Sequence, residues 1–237
     1  MSEAVRCDGV DFAYNGTRVL QDVTFGVAAG EFIGLIGANG SGKSTLLRLL
    51  LGMLTPTAGR IEVLGQAPLA AVRGGFVGYV PQRDARASST PLSAYDVVLL
   101  GRAGCVGLGR RPRVADRELA RAALVEVGAG DFATASFGQL SGGQQRLVLV
   151  ARALVQEPAL LLLDEADTGL DERHRTEVYH LLNARRQRTG MTIVAISHQF
   201  DLLSTVVDSA LALRDGRAID WCPEHMTHAL AAHEAGA

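Results

Sequence analysis

Lysine is nearly missing from this chain: of its 23 lysine and arginine residues, Lys43 alone is a lysine. Arginine serves wherever a generic positive charge is needed, so the single ammonium marks a place where the planar guanidinium cannot substitute. An excess of one charge sign is missing too, with 25 acidic residues against 23 basic and a net charge of -2. That balance leaves no electrostatic footprint for DNA or RNA, and no nucleic-acid partner is expected. No apolar run approaches the roughly 20 residues that cross a bilayer; the longest lie near 159–163 and 46–51. The start, Met1 to Arg6, has neither the charged segment nor the apolar stretch of a secretory signal, which points to the cytoplasm. Cysteine is scarce and odd in number, Cys7, Cys105 and Cys222, as expected of reduced thiols rather than of a disulfide framework. What remains is a chain of 237 residues, 48% hydrophobic, enough for one large α/β domain or two small ones.

The lone lysine falls within Gly37-Ala38-Asn39-Gly40-Ser41-Gly42-Lys43-Ser44-Thr45, a match to the phosphate-binding pattern G-x-x-x-x-G-K-[ST]. Glycines and a small alanine let the backbone curl so that successive N–H groups point into one concavity, which suits nucleotide phosphates. Lys43 adds a point charge there and Ser44 a magnesium ligand. A bare match could be a glycine-rich turn, but the flanks agree with the motif: 31–36 reads as a buried strand and 46–51 as a helix.

Upstream, Val5 to Tyr14 and Val19 to Val27 alternate apolar and polar residues around Asn15-Gly16, the pattern of two antiparallel strands and a tight turn. Tyr14 ends the first strand, where an aromatic ring either covers a hairpin edge or stacks on a base. Strands are expected at 60–64 and 75–80, the latter stopping at Pro81-Gln82. The middle third turns helical, over 93–102 and 116–127. Ser141 then reads as the N-cap of a helix running to Gln156. Ala159 to Leu163 is a continuous apolar run of the kind found in a strand covered on both faces, with Asp164 and Glu165 at its end. A helix over 172–188, a strand over 191–196 that ends at Ser197-His198, and a hairpin over 211–219 turning at Asp215-Gly216 complete the chain. An Asp-Glu pair or a histidine after a strand is ordinarily a solvated strand end or a hydrogen-bonded bystander. Together, at strand ends facing one crevice, these groups supply what phosphoanhydride hydrolysis needs: a phosphate cradle, a magnesium site, a base for water and donors around the terminal phosphate.

Nearly end to end the spacing resembles the ATP-binding subunits of ABC transporters. The Walker A loop is Gly37 to Thr45, the Q-loop glutamine Gln82, the signature Leu140-Ser141-Gly142-Gly143-Gln144, and the Walker B strand 160–164 followed by Glu165. A D-loop, Thr168 to Asp171, and a switch histidine, His198, come after. The resemblance implies an α/β fold of the P-loop NTPase class: a RecA-like core with an antiparallel β-subdomain (1–82 and 157–222), an inserted helical subdomain (83–156) and a tail (223–237). It implies ATP and Mg2+ as ligands and two subunits pairing head to tail, so that each nucleotide lies between one Walker A loop and the other subunit's signature. In that pattern Lys43 binds the β and γ phosphates, Ser44 and Gln82 the magnesium ion, and Asp164 the ion through water. Glu165 activates water, His198 contacts the γ-phosphate, Tyr14 stacks on adenine and Asp171 lies at the subunit seam. Bare N–H groups at Ser141, Gly142 and Gly143 suit a γ-phosphate.

This chain departs from the family pattern in two places. Glu165-Ala166-Asp167-Thr168 lacks the usual proline after the glutamate, and Asp167 adds a carboxylate expected to raise the pKa of Glu165 by repulsion. Gln145-Arg146-Leu147 also sets the arginine after the signature differently, with no function to assign to it. The segments around Gln82 and over 91–102, including Gly101-Arg102, look like the zinc and manganese importer group. Iron-siderophore, haem and cobalamin importer ATPases share much of that pattern and remain the alternative. Such a subunit works on a separate membrane permease at the inner face of the membrane, served indirectly by a substrate-binding protein. A chromosome-maintenance ATPase would need a long coiled coil before the signature, a translation-linked one would need two cassettes, and a regulatory cassette would lack Glu165 or His198. The Cys222, His225, His228, His233 tail fits no common closed zinc site and is read as a short polar helix.

Overall fold

The computed structural model describes residues 2–82, 91–107, 110–165, 169–197 and 200–221. Strands β1 (Glu3–Tyr14) and β2 (Thr17–Ala28) form an antiparallel hairpin. Its turn residues Asn15 and Gly16 have φ of 48° and 83°, the left-handed pair that a two-residue hairpin loop needs to match strand twist. β3 (Phe32–Ile36) leads into helix α1 (Lys43–Leu50), then β4 (Ala58–Val63), α2 (Pro68–Arg73) and β5 (Val77–Val80). Helices α3 (Ala94–Leu100), α4 (Ala103–Val106), α5 (Val114–Glu126) and α6 (Gly142–Leu154) come next. The chain closes through β6 (Leu160–Asp164), α7 (Glu172–Thr189), β7 (Thr192–Ile196), α8 (Phe200–Leu203), β8 (Ser209–Arg214) and β9 (Arg217–Trp221).

Two sheets result. One is antiparallel, in the order β2-β1-β4; the other has the order β5-β6-β7-β3-β8-β9, parallel throughout except where β9 returns beside β8. The expected α/β class and antiparallel lead-in are therefore present. The expected strands and long helices all form, with ends shifted by a few residues. The short helices α2, α4 and α8 have no counterpart in the sequence reading.

The leucine run shows why the central sheet forms. Leu161 and Leu163 pack with Phe32, Ile193 and residues of α3, α5, α6 and α7, while Leu160 and Leu162 pack with Ile33, Leu35, α1 and the β1–β2 hairpin. Strand periodicity of two sends alternate side chains to opposite faces, so a run apolar at every position needs cover on both. The same parallel pairing puts the carboxyl ends of β3, β5, β6 and β7 on one edge. Asp164 is in register with Ile196, which is in register with Leu35 just before the loop. A crevice beyond the carboxyl ends of an open parallel sheet is where such folds bind ligands.

Candidate nucleotide site

After β3 the backbone turns through 37–42, and Gly42, at φ 104°, is the N-cap of α1. No side chain caps that helix start, so its first N–H groups are left for another acceptor. Lys43 is 6% exposed, and its ammonium donates to the carbonyls of Gly37 (2.6 Å) and Ala38 (2.9 Å). Burial lowers its pKa, opposed by the nearby charges of Glu165 and Asp164. Ser41 is buried, and its hydroxyl has no hydrogen-bond partner among the described residues. A buried ammonium resting on two backbone carbonyls, an unpartnered hydroxyl and an uncapped helix start form a set of donors whose chemistry fits nucleotide phosphates. Asn39 and Gly40, on the outer rim of the loop, are exposed, and Thr45 is buried in the first turn of α1.

Across the crevice Asp164 ends β6. Its Oδ1 accepts from the Ser44 hydroxyl at 3.4 Å and its Oδ2 from the Tyr79 hydroxyl at 3.4 Å. Burial raises the Asp164 pKa, the charge of Glu165 adds to this, and Tyr79, Arg48 and Ser44 pull it back. Burial, then Asp164, pushes the Tyr79 phenol up to about 12. Ser44 and Asp164 together present the oxygen donors that a hard divalent cation takes, so the residues fit magnesium.

Glu165 follows, with φ 49°, a left-handed backbone that a residue with a Cβ adopts at a cost. Its N–H donates to the Ile196 carbonyl at 3.0 Å, and its carboxylate accepts a hydrogen bond from the Gln82 amide. Gln82, expected beside the magnesium ion, thus spends its side chain on Glu165 in this conformation. The backbone carbonyl of Glu165 accepts from Arg146 at 3.0 Å.

The signature residues open α6. Ser141 and Gln144 form a reciprocal capping box: the Ser141 hydroxyl accepts from Gln144 N–H (3.2 Å) and the Gln144 side chain from Ser141 N–H (3.0 Å), so the Ser141 N–H, expected to be bare, is already taken by the Gln144 side chain. Gly142 faces open space, and a Cβ on Gly143 would lie 3.4 Å from the Gly169 carbonyl and from Leu170. The signature therefore adjoins the turn before α7. That helix is N-capped by Asp171, which accepts from His174 N–H at 2.9 Å and contacts His174 Nδ1 at 2.8 Å. The two hydrogen bonds hold the exposed Asp171 carboxyl below its ordinary range.

Tyr14 is 39% exposed. Its ring stands edge-on to Phe12 with centroids 4.8 Å apart, and its hydroxyl accepts from Arg48 at 3.4 Å. His198, Asp167 and the Cys222, His225, His228, His233 tail lie outside the described residues. Sequence reading missed Tyr79 and the role of Arg146. Tyr79 sits three residues before Gln82 on β5, beside β6. Arg146 is a charge inside an otherwise apolar helix face, and that mismatch, with its departure from the family pattern, is the signal of it in the sequence.

The geometry agrees with what this chain is similar to. The ABC transporter family model matches residues 20–168. The manganese transport system ATP-binding protein of Bacillus subtilis is 40% identical over 209 residues, 88% of this chain and 82% of that protein. The zinc transport system ATP-binding protein of Treponema pallidum is 38% identical, over 89% of this chain and 78% of that one. Among solved structures, an inward-facing ABC transporter described as of metal-chelate type superposes with a TM-score of 0.85 at 30% identity, covering 99% of this chain and 90% of that chain. Family model, relatives and superposition agree with the site: this chain belongs to the ABC transporter family, as an ATP-hydrolysing cassette.

Proposed function

We propose that this cassette drives import of a transition-metal ion of the zinc or manganese type through a separate permease at the inner face of the membrane. The cargo reading rests on the manganese and zinc transport relatives, at 40% and 38% identity. Among the described residues no helix is long and apolar enough to cross a membrane. The metal-chelate alternative draws support from the 30% identical transporter of that description. Uptake of radiolabelled manganese or zinc by vesicles holding the cassette and its permease, against a siderophore chelate, separates the two.

The observation that carries the ATPase mechanism is the convergence of Lys43, Ser44, Gln82, Asp164 and Glu165 on one sheet edge. Lys43 exchanges its contacts with the Gly37 and Ala38 carbonyls for the β and γ phosphates, and Tyr14 stacks on the adenine. Ser41 and the N–H groups of 39–45 hold phosphate oxygens. Ser44, Asp164 and, after leaving Glu165, Gln82 are the donors for Mg2+, which when bound neutralises phosphate charge as the terminal bond breaks. Glu165, once free of Gln82, orients a water and takes its proton, and His198 contacts the γ-phosphate. The signature residues Ser141, Gly142, Gly143 and Gln144 of a second copy close on the same ATP, with Asp171 at the seam.

The decisive experiment is Glu165→Gln. Losing a general base costs about 100- to 10,000-fold in turnover, while ATP binding persists, so the variant accumulates as an ATP-bound dimer seen by gel filtration. Unaltered turnover would overturn the assignment.

A further inference from the structure

Arg146 lies in the second turn of α6, five residues beyond the Ser141 cap, and is 5% exposed. Its guanidinium reaches out of the helix to three backbone carbonyls. Nη1 donates to Pro81, and Nη2 donates to Gln82 at 2.6 Å and to Glu165 at 3.0 Å. Two of those carbonyls belong to the residues whose side chains are joined across the site, Gln82 and Glu165. Glu165 has an uncommon backbone, φ 49°, and its N–H is fixed by the end of β7. Arg146 fixes the other side of the same residue. We propose that Arg146 is a positioning residue for hydrolysis: it ties the signature helix to the backbone of Gln82 and Glu165, so that a shift of α6 moves both side chains as a pair.

The chemistry requires arginine. Three acceptors at different angles are met by a planar group with five N–H donors, whereas an ammonium on a flexible stem satisfies them poorly. Within one helix, Arg146 and the capping box that holds Ser141 and Gln144 move as a rigid unit. A phosphate drawn to the start of α6 is thereby felt at Glu165.

The inference rests on the ATPase reading, and its test separates the two. Full-length wild type, Arg146→Lys, Arg146→Gln, Glu165→Gln and Glu165→Gln/Arg146→Lys are compared by steady-state ATPase kinetics, with thermal melting to confirm folding. A misplaced reacting group costs up to about 100-fold. We expect Arg146→Lys to lose at least about tenfold in kcat with KM for ATP changed by less than about threefold, and Arg146→Gln to lose more. Because Arg146 acts through Glu165, the double variant should turn over no more slowly than Glu165→Gln alone and should still trap an ATP-bound dimer. A folded Arg146→Lys with wild-type kcat, a loss confined to KM, full additivity with Glu165→Gln, or failure of both Arg146 variants to fold would each overturn the proposal. If wild type turns over and Glu165→Gln abolishes it, the ATPase reading survives any of those results; absence of wild-type turnover would sink that reading and the inference with it.

Discussion

Asp164 keeps its charge against its surroundings. Burial and the Glu165 carboxylate both favour its protonated form, so the folded chain holds that proton to a higher pH than the unfolded chain does. The stability this residue contributes is greatest below its unfolded pKa and is lost as pH rises through the raised folded value. At neutral pH the ionised carboxylate therefore opposes folding. Asp164→Asn keeps the shape, with an oxygen for one of the two hydroxyls and an amide N–H for the other to accept, so it should raise Tm while abolishing turnover. The Tm difference between variant and wild type should shrink as pH is lowered toward 4, measured by scanning calorimetry; a difference that grew on acidification would contradict an origin in carboxylate burial. A residue that destabilises its own fold is common where chemistry needs a charge, and added Mg2+ should recover part of the loss in wild type.

At the scale of elements, the pair Gly101-Arg102 was legible in sequence only as a family feature, and the structure supplies its physics. Gly101 ends α3 against α6: a Cβ there would run into the Arg152 carbonyl and lie 2.6 Å from Val155. Arg102 pairs with Asp116 at the start of α5 at 2.9 Å and donates to the Val155 carbonyl at 3.2 Å. Three helices are joined at one corner. Gly101→Ala should push α3 off α6 and cost about 1–3 kcal/mol, the usual range for overpacking, read as a lower urea midpoint; an unchanged midpoint would show that the corner yields. The elements themselves were largely readable because their signals are local. Leu160 to Leu163 is apolar at every position, Asn15-Gly16 and Asp215-Gly216 suit left-handed turns, and Ser141 precedes a helix. The helix α2 escaped because its six residues show too little apolar periodicity. Arg146, Tyr79 and the Gln82–Glu165 contact escaped for another reason. Arg146 reaches carbonyls 65, 64 and 19 positions away, Tyr79 a carboxylate 85 away and Gln82 one 83 away, and only the folded sheet edge brings them together.

For the molecule as a whole, the site residues divide between two places. Lys43, Ser44 and Asp164 gather at the mouth of the parallel sheet, while Ser141 to Gln144 and Asp171 sit together at the starts of α6 and α7. On the proposed reading each group is half of a site that a second copy completes. ATPase activity per chain should then rise with protein concentration before reaching a plateau, and inactive Glu165→Gln chains mixed with wild type should depress it beyond simple dilution. Activity strictly proportional to concentration at the lowest measurable levels would point to a self-sufficient single chain.

The scarcity of lysine has a further consequence once the Lys43 ammonium is seen buried against the Gly37 and Ala38 carbonyls with its pKa lowered. In most proteins, acylation of side-chain amines scatters over many harmless surface positions. This chain has no such decoys. The one side-chain amine that an acyl donor could capture is the phosphate-loop ammonium, and burial leaves a larger share of it neutral and nucleophilic than an exposed lysine would have. Lysine modification and loss of nucleotide binding are therefore, for this molecule, a single event.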